Sequence, residues 1–190
     1  MFCNATDPEQ AAIDTLLIGY GNALRSDDGV GPTVVELIRQ SLGPAFATSV
    51  TCRTDMQLTP ELAPLIASVR RVIFVDASVA VQAGRVTIRR IAAQPTAACL
   101  GHQFSPPQIL ELARLAFGCV PQAWIVAVGV QSLAVGQGLT AAVEDTARRL
   151  AGHLRYHLLP IGKPSFHWTS RNTRLINEGR CSVARALSKI

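Results

Sequence analysis

Three side chains in this chain have the types and settings to hold a divalent cation together: Asp28, Asp76 and His102. Asp28 is the second of two adjacent carboxylates, Asp27 and Asp28, that follow LLIGYGN and stand at the mouth of a helix. Asp76 ends the run VIFVD, and His102 sits in the loop LGHQFSPP. One imidazole nitrogen and two carboxylates make a mixed donor set suited to zinc, nickel or another borderline ion, and three protein donors leave coordination positions open. Each residue also has a plainer reading. An Asp before a helix caps it and complements the helix dipole, a strand-end Asp accepts backbone N–H bonds, and a loop histidine is solvated. One carboxylate suffices for a cap, so the second of the pair is the candidate. Asp76 ends a strand apolar enough to be buried on both faces, where a charge needs a partner. His153 and His157 share a helix face; with no intervening Glu of the HExxH type and no evident third ligand, they read as exposed or helix-end residues.

The elements that must position these groups alternate. Leu16–Tyr20 reads as a buried strand, and Val30, Val34, Val35, Leu37 and Ile38 repeat at helical spacing, which predicts a helix over Val30–Ser41. Ser49–Thr54 reads as a short strand, Pro60–Ser68 as a helix capped by Thr59, and Val72–Asp76 as a central strand. Arg85–Ile91 alternates as an edge strand does. Ser105 and Gln108 have capping-box spacing for a helix that stops near Gly118, followed by a strand over Trp124–Val130 and a helix over Leu139–Leu158. The pattern implies an α/β fold: a three-layer α/β/α sandwich around a mostly parallel twisted sheet of about five strands, phosphorylase/hydrolase-like. The expected organisation is an N-terminal extension over 1–12, one α/β domain over 13–158 and a basic extension over 159–190. If the strands ending at Tyr20 and Asp76 are neighbours, Asp28 and Asp76 reach one crevice at the carboxyl edge, where open sheets bind ligands.

Composition removes several classes of function. The net charge of +5 is unevenly spread, since residues 1–145 hold 9 basic and 12 acidic side chains and residues 146–190 hold 9 and 1. The basic excess therefore reads as a solvated tail, with no aromatic platform for nucleic acid. No apolar run approaches a membrane span, and MFCNATDPEQ lacks the positive start of a secretory signal, so the expectation is a soluble, cytoplasmic monomer. Five cysteines without a CxxC pair fit reduced thiols, with Cys52 and Cys119 packing as small apolar groups. The stretch GYGNALRS has Leu24 where a dinucleotide fingerprint wants its third glycine. A GxSxG elbow is absent, and Cys99, though close in sequence to His102, is not read as a nucleophile.

Five ordered blocks, GYGNALRSDDGVG, QLTPELA, VIFVDA, GHQFSPPQIL and VGVQSLAVGQGLT, resemble the nickel-iron hydrogenase maturation endopeptidases from Leu16 to the last helix. The resemblance implies an aspartyl-type peptidase that acts on the precursor of a nickel-iron hydrogenase large subunit, removing its C-terminal extension after nickel insertion. It also implies that Asp28, Asp76 and His102 are the metal-contacting and catalytic residues, and that nickel is substrate-borne and transient. Either the metal polarises the scissile carbonyl and activates water, or the carboxylates do acid/base work while nickel positions the peptide. Arg53–Met56 is expected to form a turn facing the substrate. Two alternatives stand: a peptidyl-tRNA hydrolase-like esterase, lacking its Thr-Arg-His-Asn stretch, and a non-enzymatic module for a flavin or nucleotide, lacking a phosphate loop.

Overall fold

Strand β1 (Thr15–Tyr20) lies inside the sheet because its apolar side chains point both ways, Leu16 and Ile18 to one face and Leu17 to the other, and both faces are covered. A computed structural model of the protein describes residues 15–42, 49–95, 104–136, 138–158 and 170–178. The sheet has the order β2 (Val50–Asp55), β1, β3 (Arg71–Ser78), β5 (Gln122–Gly129), β4 (Val86–Ile91). Its first four strands are parallel, and β4 runs antiparallel on β5 at the edge. Helices α1 (Val30–Ser41), α4 (Ala141–Leu158) and α5 (Ser170–Asn177) pack against Leu17, Ile73, Trp124 and Val126. On the opposite face α2 (Ala63–Ala67) and α3 (Pro106–Phe117) cover Leu16, Ile18 and Phe74. This is the expected three-layer α/β/α sandwich.

Four local expectations need correction. The helix expected over Pro60–Ser68 is a 3-10 turn, Pro60–Leu62, followed by a single α-helical turn, and Thr59 has capping backbone angles without a side-chain cap bond. Pro64 has no N–H to give to the Pro60 carbonyl, so Ala63 donates to it in the tighter pattern. Arg53–Asp55 belongs to β2 rather than to a turn, and the Asp55 carbonyl accepts from Gly21 N–H at 3.1 Å. Cys119 is disulfide-bonded, whereas Cys52 is a free thiol packed at the edge of the core. Buried among the α4 residues is His153, which is neither exposed nor at a helix end.

The basic segment 159–190 contains α5, which its charge pattern concealed. Ile176 is fully buried against the core, and the Asn177 amide grips the edge strand: Val86 N–H donates to Oδ1 at 2.8 Å, and Nδ2 donates to the Val86 carbonyl at 3.1 Å. A side-chain amide there takes the place of a neighbouring strand.

The topology fixes where a ligand enters. From β1 the chain crosses to β2 on one side, then returns to β3 on the other side of β1, and the remaining strands lie beyond β3. The carboxyl ends of β1 and β3 therefore flank the point where the strand order reverses, which is where open α/β sheets bind ligands. The start of α1 is pressed onto this point: a Cβ on Gly31 would lie 2.4 Å from the Val75 carbonyl oxygen and 2.6 Å from that of Tyr20. The Gly31→Ala change is expected to lower stability by about 3 kcal/mol, because backbone must move. Gly152→Ala, on open helix surface with no atom within 4 Å of the new Cβ, is expected to stabilise the fold. Urea midpoints of the two variants check both.

Candidate active site at the carboxyl edge

The loop after β1 turns back on itself. Gly21 has φ +137°, and a Cβ there would meet the Asp28 carbonyl oxygen at 2.0 Å, so only glycine fits. Asn22 N–H donates to Asp28 Oδ2 at 2.9 Å, and Asn22 Oδ1 accepts from Leu24 N–H at 2.9 Å. A 3-10 turn, Ser26–Gly29, then leads directly into α1.

The two neighbouring carboxylates have separate fates. Asp27 is 0% exposed and receives the loop between β5 and α4: Gln131 N–H and Ser132 N–H at 2.9 Å each, Thr140 N–H at 2.7 Å and the Thr140 hydroxyl at 3.1 Å. Burial acts to raise its pKa, but these donors outweigh it and hold the carboxyl below its ordinary value. Ser26, at φ 47°, adds a hydroxyl bond of 3.0 Å to the Gly138 carbonyl. Asp27 is thus a clamp between two loops, and Asp28 is the half-buried member left facing the crevice side of Gly21.

Asp76 enters from the next strand. Gly19 pairs with Val75, so Tyr20 and Asp76 follow side by side at the strand ends, and the Tyr20 hydroxyl donates to Asp76 Oδ2 at 2.6 Å. Burial pushes the Asp76 carboxyl above its ordinary pKa; the Tyr20 and Ala77 hydrogen bonds pull it back, and the nearby charge of Asp28 pushes it up again. Burial, and then the Asp76 charge, also keeps the Tyr20 phenol firmly protonated and so a donor. Two carboxylates that repel across a partly desolvated crevice make a ready acceptor for a cation, which relieves both costs. Among the described residues no group of three or more metal-ligating side chains is gathered. His102 lies outside the described residues, as does Cys99.

Two residues escaped the sequence reading. Tyr20 shares the alternation of Leu16 and Ile18, which places it on the face of Asp76 once β1 and β3 are known to be neighbours. The acceptor role of Asp27 had no such local signal, since its donors lie more than 100 residues away.

The same arrangement of strands and helices occurs in solved structures. A hydrogenase maturation protease, HycI, from Thermococcus kodakarensis superposes with a TM-score of 0.61 at 18% identity, over 76% of this chain and 91% of that one. The chain has the fold of the hydrogenase maturation proteases. The maturating endopeptidase HybD from Escherichia coli gives a TM-score of 0.57 at 23% identity, over 74% and 89% of the two chains. An endopeptidase from Escherichia coli solved in solution gives 0.57 at 25% identity, over 74% and 89%. No family model and no curated protein matches the sequence.

Asp27→Ala is expected to cost about 3 kcal/mol or more, since it strands several buried donors at once; chemical denaturation measures it. For Asp76 the sign is opposite. Its pKa is raised in the folded state, so its ionisation opposes folding as pH climbs from the ordinary carboxylate range through the raised value. The Asp76→Asn variant keeps an acceptor for Tyr20 and loses the charge, so its thermal midpoint should exceed that of the parent at pH 7. The gap should close below about pH 4, where the unfolded carboxyl is also protonated.

Proposed function

We propose that this protein is an endopeptidase that removes the C-terminal extension of a nickel-iron hydrogenase large-subunit precursor after nickel insertion, recognising the substrate-borne nickel through Asp28, Asp76 and His102. The observation that carries the reading is the pairing of Asp28 with Asp76 at the switch point of a fold shared with hydrogenase maturation proteases. Phe104, two residues beyond His102, supports the third position: its N–H donates at 3.2 Å to the carbonyl of Leu58, just past the end of β2, at the same edge of the sheet.

The surroundings suit a protein substrate. Leu24 (72% exposed), Met56 (68%), Val79 (79%) and Val135 (79%) lie on the loops after β1, β2, β3 and β5, all loops that leave the carboxyl edge of the sheet. Exposed apolar side chains grouped around a site mark a contact surface. Among the described residues no helix is long and apolar enough to cross a membrane.

Asp76 would take a proton from the water that attacks the scissile carbonyl, the work a positioned carboxylate does in general-base catalysis. Tyr20 is the positioning residue for that base. Mass spectrometry of a nickel-loaded large-subunit precursor tests the proposal: the parent releases the extension, Asp76→Asn and His102→Ala do not, and a nickel-free precursor stays intact. Normal processing by both variants overturns the assignment. Tyr20→Phe removes a bond that lowers the Asp76 pKa, so the acid limb of its kcat profile should move to higher pH; an unchanged limb rules Asp76 out as the base.

A further inference from the structure

A second group of ligating side chains lies away from the carboxyl edge. His153 and His157, one turn apart on α4, point their Nε2 atoms at each other across 3.1 Å, with ring centroids 4.7 Å apart and planes inclined by 50°. Two nitrogens bound to one ion at about 2.1 Å, at angles from 90° to tetrahedral, stand about 3.0 to 3.4 Å apart. The pair is therefore already at the bite of a chelate. From Thr140, held by Asp27 at the site edge, His153 is thirteen residues along the helix, roughly 20 Å at the helical rise.

We propose that His153 and His157 form a two-imidazole clip for a borderline divalent cation, nickel or zinc, distinct from the carboxylate site. The spacing is set by the helix: side chains four residues apart stack on one face. His153 is only 7% exposed, and His157 is half-buried. Burial lowers both imidazole pKa values, that of His153 to about 4, so the neutral, ligating form prevails at neutral pH. Arg149, one turn before His153 on α4, is engaged with Asp145 and with the Thr146 hydroxyl at 3.1 Å. Imidazole donors favour nickel and zinc over magnesium or calcium.

The test is titration of the full-length protein with nickel alone, followed through the imidazole resonances. Added at less than one equivalent, paramagnetic nickel should broaden the His153 and His157 signals together, in the parent and equally in the Asp76→Asn variant. The His157→Gln variant should lose that response at His153 and weaken calorimetric nickel binding of the Asp76→Asn background by roughly a hundredfold, the low end of the gain from joining two ligands. If neither ring responds, or one responds without the other, the contact is a hydrogen bond between imidazoles and the clip is overturned. The parent spectra decide this even if a variant folds poorly.

Discussion

The candidate site depends on a single buried carboxylate that takes no part in it. Asp27 gathers donors from the loop that joins β5 to α4 and ties them to the loop that leaves β1. These loops lie across the gap that a doubly wound sheet leaves where its strand order reverses, and the sheet holds them only at their first residues, through Gly21 N–H on the Asp55 carbonyl and Val130 N–H on the Ser78 carbonyl. Because Asp27 turns inward, Asp28 remains at the crevice. Two adjacent residues of one type thereby divide the work of building and using the site, and their surroundings make the difference.

Asp76 carries the opposite tension. It follows the buried run Val72 to Val75 within β3, and a carboxylate there is set against both low polarity and a like charge. The Tyr20 bond offsets part of that cost without removing it. A group held in such a state has spare free energy for whatever neutralises it, whether proton or cation, which is why ionisable groups with raised pKa values gather at functional sites. The strain is thus local and is borne by a sheet otherwise filled with well-packed apolar side chains.

Much of this was legible in the residues. Periodicity located every strand of the sheet, and alternation marked β4 as an edge, since Val86 and Ile88 pack on one core layer while Thr87 and Arg89 between and beyond them are exposed. Placing Asp28 in the loop after one strand and Asp76 late in another was enough to expect them at one edge if the strands were neighbours, and β1 and β3 are neighbours. What remained hidden were effects of tertiary contact. The grip of Asp27 on distant N–H groups has no local period, a second proline shortened α2, and α5 was obscured by a charge count that says nothing of Ile176 and Asn177. His153 was misplaced because a polar residue on a helix suggests solvent, whereas here it pairs with His157 instead.

The amide of Asn177 ends the sheet in a way that strand pairing could not. An antiparallel edge such as β4 presents backbone groups that any extended segment can copy, and one side chain satisfies both free groups of Val86. Helix α5 therefore closes the Val86 end of that edge, and a chain clipped before it would leave those two backbone groups to water or to another extended segment.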